Sequence, residues 1–217
     1  MKHTIGVLAL QGAFAKHMEM LSSLGADTVE VREPEDLSGI EGLIIPGGES
    51  TTISKMLVRW ELIEPIRSLM AGGMPVYGTC AGLILLADRL VEWNDLPRLG
   101  GLDVTVARNA YGRQIDSFEA ELDIVVSGAP EFEGEPFDGV FIRAPRIVVE
   151  SGGDGAKPSP GPGVEILCSF EDLPVLVRQG NILAGSFHPE LTGDSRVHAW
   201  FVKEMVAGAA AGAERAG

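Results

Sequence analysis

The 217-residue chain has only two cysteines, Cys80 and Cys168. Two thiols make no disulfide framework and fit a reducing compartment, so a cytoplasmic setting is expected. Basic residues are outnumbered: 17 Lys and Arg face 31 Asp and Glu, for a formal net charge of −14. Such a chain is poorly suited to neutralising phosphate backbones, which argues against a nucleic-acid ligand. No apolar run approaches the roughly 18 residues of a membrane span. The four histidines are scattered. CxxC and HExxH spacings are both absent, so no metal is expected. GxxxxGK[ST] is missing too, which excludes a P-loop, and no internal repeat is visible. At the N-terminus Lys2, the Ile5–Leu10 run, Ala13 and Ala15 loosely imitate a signal peptide. The run is short and Gln11-Gly12 interrupts it, so a buried first strand is the better reading.

What is present is ordinary globular material: 45% hydrophobic and 22% charged residues, in a length that suits one domain. Thr4–Leu10 reads as a strand buried on both faces. Phe14, Met18, Leu21 and Leu24 recur at helical spacing, and Gly25 closes that helix. Thr28–Val31, Gly42–Ile45 and Pro75–Tyr77 read as further strands. Thr51–Leu69 reads as mainly helical with a break near Glu64-Pro65, and Ala81–Leu90 as a helix. Alternation of this kind is the βαβ signature of a parallel sheet. The second half carries strand-like Asp103–Ala107, Leu122–Val126, Val140–Ile142, Ile147–Val149, Val164–Ser169, Pro174–Arg178 and Ile182–Ser186. These read as antiparallel strands added to the sheet. Ser151–Gly163 is rich in Gly and Pro and reads as a mobile surface connection. A last helix is expected over Ser195–Val206. The expectation is a single α/β domain over residues 1–206, with an Ala- and Gly-rich tail over 207–217 that frays.

The sharpest chemical signal is Gly78-Thr79-Cys80-Ala81-Gly82, between a strand and an apolar helix. It is the G-x-nucleophile-x-G elbow with cysteine in the nucleophile's place. The flanking glycines fit because side chains there would collide with neighbouring elements. The turn lifts the sulfur at the carboxyl edge of the sheet, where open α/β sheets bind ligands. The following helix sets its N-terminal amides beneath the sulfur, where they favour a thiolate. A bare buried cysteine would be a small hydrophobe, and Cys168, mid-strand and without glycines, reads that way.

A thiol nucleophile needs a base. His188-Pro189-Glu190 follows the strand-like Ile182–Phe187. In extended backbone, residues i and i+2 point the same way, so Glu190 can orient the His188 ring. His3, near the terminus, and His17 and His198, within helices, are weaker rivals. Alone, H-x-E equally fits a strand cap beside a solvated carboxylate. Pro46-Gly47-Gly48-Glu49-Ser50-Thr51-Thr52 also follows an apolar strand. Gly47 and Gly48 free backbone amides that could form an oxyanion hole near Cys80, and Ser50 and Thr51 could cap the next helix.

Together these residues resemble the class I, triad glutamine amidotransferases. Gly6–Gly12, Pro46–Thr52, Gly78–Leu83, Arg108-Asn109, Gly112-Arg113-Gln114, Asp116-Ser117-Phe118, Val140–Pro145 and Ser186–Leu191 narrow the resemblance to the glutaminase subunits of pyridoxal 5'-phosphate synthases. The resemblance covers nearly the whole chain and is weakest in Ser151–Gly163 and the tail. It implies a three-layer α/β fold, flavodoxin-like, with a mostly parallel central sheet flanked by helices and added antiparallel strands. It implies hydrolysis of L-glutamine to glutamate and ammonia through a Cys80 thioester, with His188 as base and Glu190 as its orienter. Gly47, Gly48, Glu49, Ser50, Arg108, Ile142 and Arg143 match the glutamine contacts. An Arg facing the substrate's α-carboxylate is physically sensible. The resemblance further implies delivery of ammonia to a (β/α)8-barrel synthase subunit, with Gln11 at that partner contact, and no cofactor on this chain. Two other readings compete: a glutaminase serving a different synthase, such as those for imidazole glycerol phosphate or guanylate, and a non-catalytic regulatory subunit of the same fold. A stand-alone cysteine hydrolase is a further, weaker one.

Overall fold

The computed structural model describes residues 2–108, 117–151 and 159–216. The elements in order are β1 (Thr4–Leu8), α1 (Phe14–Ser23), β2 (Asp27–Val31), β3 (Gly42–Ile45), α2 (Ser50–Arg59), α3 (Ile63–Ala71), β4 (Val76–Thr79) and α4 (Ala81–Leu86). There follow β5 (Ala87–Leu90), β6 (Leu102–Ala107), β7 (Ser117–Leu122), β8 (Phe137–Ile142), β9 (Arg146–Ile147), β10 (Glu165–Phe170), β11 (Leu173–Gln179) and β12 (Ile182–Gly185). The chain closes with α5 (Arg196–Trp200), a π-helical turn (Phe201–Val206) and α6 (Ala207–Ala216).

The central sheet has the order β10-β11-β12-β4-β3-β1-β2. From β12 to β2 every pairing is parallel, and β11 and β10 are added antiparallel. Its middle strands are apolar on both faces, because helices cover both. Leu43, Ile45, Val76, Ile182 and Ala184 point into one core with Ile53, Leu57 and Ile66 of the covering helices. Ile5, Val7, Ile44, Tyr77 and Leu183 point into the other, with Leu21, Val197 and Phe201. This alternation is the period-2 geometry of a strand between two helical layers. The three-layer, mostly parallel architecture with added antiparallel strands is thus present.

Several boundaries differ from those the sequence predicts. The helix expected over Ala81–Leu90 stops at Leu86, and Ala87–Leu90 pairs with β6 instead. The break expected near Glu64-Pro65 falls at Trp60–Leu62, where Glu61 has φ 54. Pro65 sits in the first turn of α3, where its missing N–H removes no helical bond. The strand expected over Leu122–Val126 lies earlier, over Ser117–Leu122, because the register with β8 pairs Leu122 with Phe137. Val125 makes one backbone bond to Leu167, and its side chain is exposed. Beyond Val206 the chain continues as helix through Ala207–Ala216, within the stretch read as a fraying tail. Alanine's helix propensity is the physical reason. Residues 109–116, which include Gly112-Arg113-Gln114, and residues 152–158 of the Gly- and Pro-rich connection lie outside the described residues.

Candidate active site

Four adjacent parallel strands, β1, β3, β4 and β12, end at the same edge of the sheet. Each is followed by one of the predicted segments. Gln11-Gly12 follows β1, Gly47–Ser50 follows β3, Cys80 follows β4, and His188 follows β12. The topology therefore brings together residues that the sequence keeps far apart.

Cys80 sits at the turn between β4 and α4 with φ 50 and ψ −100. A non-glycine residue rarely adopts this conformation, and the neighbours enforce it. Its N–H donates to Gly185 O of β12 at 2.8 Å. A Cβ on Gly78 would meet Gly82 backbone at 2.7 Å, and one on Gly82 would overlap Ile45 O. Both glycines are therefore required for the elbow to close. The sulfur is nearly buried and lies 3.9 Å from Ile142 O.

His188 is fixed by its backbone and by its ring. Its N–H donates to Val140 O at 2.7 Å, and ring Nδ1 pairs with Glu190 Oε1 at 2.8 Å. Nδ1 being committed, Nε2 is the nitrogen left to serve the sulfur. Burial disfavours the imidazolium, but the bonds and charges of Cys80 and Glu190 outweigh it, and His188 is pushed up to about 10. At neutral pH the ring therefore holds its proton beside the Cys80 sulfur, as a triad histidine does after drawing it from the thiol. Because the folded value is raised, this stabilisation is present below the ordinary histidine range and is lost as pH rises through about 10. Glu190 is buried behind the ring.

A cavity of about 220 Å³ opens over Cys80 and His188. Gln11, Gly48, Glu49, Ser50, Arg108, Ile142 and Arg143 line it, and so does Ile84. Its volume suits a small metabolite, since pockets for drug-sized ligands start near 300 Å³. Of the predicted residues, only Gly47 and Glu190 do not line it. Gly47 packs against the imidazole: a Cβ there would stand 2.9 Å from His188 Nδ1 and closer still to Cε1. Arg143 has φ 43, a second strained residue on the cavity wall. Arg108 Nη2 lies 3.4 Å from Glu49 Oε1, and its guanidinium stacks on Trp93 at 5.7 Å.

Two roles differ from the sequence reading. The cap of α2 is Glu49, not Ser50 or Thr51: its carboxylate accepts from Thr51 N at 3.2 Å and Thr52 N at 2.7 Å. Both threonine hydroxyls donate to it as well. Partial burial works against the charge, yet these bonds prevail and lower Glu49 to about 2. Gln11, on the cavity wall, accepts at Oε1 from Glu49 N at 2.7 Å. Gly47 N–H donates to Thr79 Oγ1 at 3.1 Å, and Gly47 O accepts from Ala13 N at 3.2 Å. One of the two amides expected to serve an oxyanion is therefore committed elsewhere. Gly48 N–H, trans to Gly47 O, makes no hydrogen bond to another described residue.

A cysteine elbow facing a carboxylate-oriented histidine, over a small cavity, is thiol acyl-transfer geometry. The glutamine amidotransferase family SNO matches residues 7–207. The chain belongs to the SNO glutamine amidotransferase family. Pyridoxal 5'-phosphate synthase subunit PdxT of Pelotomaculum thermopropionicum is 53% identical over 202 residues, covering 93% of this chain and 95% of that protein. The subunit of the same name from Moorella thermoacetica is 53% identical over 199 residues, covering 92% and 97%. A crystal structure of a glutamine amidotransferase is 46% identical, with TM-score 0.82 over 94% of this chain and 98% of that one. PurLQS from Thermotoga maritima shares the fold alone, at 16% identity and TM-score 0.65.

This SNO-family chain also holds groups that the sequence reading set aside. His17 and His198 are fully buried and bonded to each other, Nδ1 to Nε2 at 2.8 Å. His17 Nε2 lies 3.4 Å from Glu190 Oε2. The available signal was positional: His17 falls on the buried face of α1 with Leu21, and His198 on that of α5 with Val197. Cys168 is also buried, and burial together with the charge of Asp123 pushes its thiol up to about 12. It is the inert thiol of the pair.

Proposed function

We propose that the chain is the glutamine-hydrolysing subunit of a pyridoxal 5'-phosphate synthase. The observation that carries the reading is Cys80 on its strained elbow beside His188, whose Nδ1 is held by Glu190. The name borne by relatives 53% identical over nearly the whole chain supports the choice of synthase. Cys80 Sγ attacks the side-chain amide carbon of glutamine, and His188 takes the thiol proton. The tetrahedral intermediate collapses, His188 passes that proton to the leaving nitrogen, and ammonia departs. Water, deprotonated by His188, then cleaves the thioester to glutamate and restores the thiol. Arg108 and Arg143 offer cations for the substrate's α-carboxylate, and the fixed anion of Glu49 offers a partner for its α-ammonium.

The ammonia passes to a (β/α)8-barrel synthase subunit that docks over this edge of the sheet. Gln11 carries the docking signal: it holds the Glu49 amide, and the adjoining Ala13 N–H holds Gly47 O. Docking that loosens the 3.2 Å Ala13–Gly47 bond lets the Gly47–Gly48 peptide turn and complete an oxyanion site, a gate against futile hydrolysis.

Glutamate release from the purified chain, measured with and without synthase subunits, tests the reading. The expected result is strong stimulation by a pyridoxal 5'-phosphate synthase barrel and none by subunits that make imidazole glycerol phosphate or guanylate. Full activity alone removes the gate. Stimulation by another synthase removes the assignment.

A further inference from the structure

Behind the Cys80, His188 and Glu190 cluster lies a buried polar chain that the mechanism above does not use. His17 and His198 share one hydrogen bond at 2.8 Å. His17 Nε2 faces Thr79 Oγ1 at 3.3 Å and Glu190 Oε2 at 3.4 Å. Thr79 Oγ1 in turn receives the Gly47 N–H at 3.1 Å. His17 thus stands between the carboxylate that aims His188 and the hydroxyl that anchors the glycine loop.

The proton positions follow from counting donors. Both rings are neutral: burial disfavours charge on each, and for His17 the neighbouring His198 and His188 add repulsion. Two neutral imidazoles joined by one bond have two arrangements. If His17 Nδ1 donates, His198 Nδ1–H is left buried without a partner, and a bare His17 Nε2 faces the Glu190 carboxylate. If His198 Nε2 donates, His17 Nε2–H points at Glu190 and Thr79, and His198 Nδ1 is an unfilled acceptor. Among the described residues His198 Nδ1 has no hydrogen-bond partner, nor has Glu190 Oε2. An orphaned buried donor is the rarer and costlier state, so the second arrangement holds.

We propose that His17 is a positioning residue for glutamine hydrolysis: its Nε2–H, oriented by His198, holds the Thr79 hydroxyl that anchors Gly47 and faces the otherwise unpartnered outer oxygen of Glu190, limiting the carboxylate's swing. The inference rests on the glutaminase reading. His17 does not line the cavity but lies behind the residues that do. Its loss therefore affects turnover and leaves substrate capture intact. A carboxylate free to swing misaims the imidazole, and small misplacements of a reacting group are expensive in rate.

The test compares wild type, His17→Phe and His17→Gln, each assayed for glutamine hydrolysis in complex with the barrel subunit. Phenylalanine keeps the ring's bulk and removes the donor. Glutamine places an amide N–H near the Nε2 position. The expected result for His17→Phe is a kcat lower by about 10- to 100-fold with an unchanged KM for glutamine. His17→Gln recovers most of that loss. A wild-type kcat in His17→Phe overturns the proposal, as does a loss confined to KM or a His17→Gln no better than His17→Phe. If the wild-type complex releases no glutamate, the glutaminase reading fails instead. The bracing geometry is then judged by ¹⁵N histidine spectra of the unmutated chain, with the His17 signals assigned through His17→Gln. Protonated Nε2 and bare Nδ1 support it, and the reverse tautomer sinks it. The same spectra decide the matter if His17→Phe does not fold.

Discussion

Replacing Cys80 with alanine is expected to reduce glutamine hydrolysis to background, a loss on the order of 10⁶-fold, the scale seen when a triad nucleophile is removed. Every route to the thioester passes through Sγ, and the other thiol cannot substitute. Cys168 is buried in β10 and held protonated, its thiol pushed up to about 12. The substitution removes one sulfur at a nearly buried site, and the elbow around it is built by Gly78 and Gly82. Thermal unfolding and binding of the barrel subunit should therefore stay close to wild type. Retained hydrolysis in Cys80→Ala would show that sulfur is not the nucleophile.

The second large effect is expected at a residue that carries no reactive group. Gly47→Ala places a methyl group against the His188 ring, 2.9 Å from Nδ1 and nearer to Cε1, and 3.3 Å from Cys80 Cβ. Real Cβ atoms essentially never approach so closely, so something must move. The backbone of Gly47 is held on both sides, by Thr79 Oγ1 and by Ala13 N. The imidazole yields, and its bond to Glu190 goes with it. A displacement of about 1 Å in a catalytic group costs on the order of 10²-fold in rate, and a loss of at least that size in kcat is expected. Gly73→Ala serves as the comparison: a Cβ there meets nothing within 4 Å, although its φ of +93 makes it a strained exchange as well. Its activity per folded molecule should be unchanged. Equal activity in Gly47→Ala would mean that the ring is not where the mechanism needs it.

Much of this was legible in the sequence, for identifiable reasons. β1, β3, β4 and β12 are buried on both faces, so each is a short, mostly apolar run, and each has a glycine at or shortly beyond its C-terminal end. That pattern places the sheet edge and the segments on it. Gly78 and Gly82 mark the elbow because nothing larger fits. Ala87–Leu90 was not legible, since a short apolar run leaving a helix looks like more helix until a partner strand is supplied. The cap of α2 departs from the expected Ser50 or Thr51 because Ser and Thr are the commoner caps, whereas here Glu49 reaches the first-turn amides with a longer side chain. The pairing of His17 with His198 joins two helices packed on one face of the sheet, which local spacing cannot express.

The central claim is that Cys80 forms the covalent bond to the glutamine side chain, driven by the adjacent imidazole. The most direct measurement is mass spectrometry of the chain, in complex with the barrel subunit, after exposure to a glutamine analogue bearing a chloromethyl ketone in place of the side-chain amide. The account predicts one adduct per chain, located on the peptide containing Cys80, suppressed by excess L-glutamine and strongly slowed in His188→Ala. Labelling of Cys168, or no labelling in a complex that hydrolyses glutamine, would contradict it.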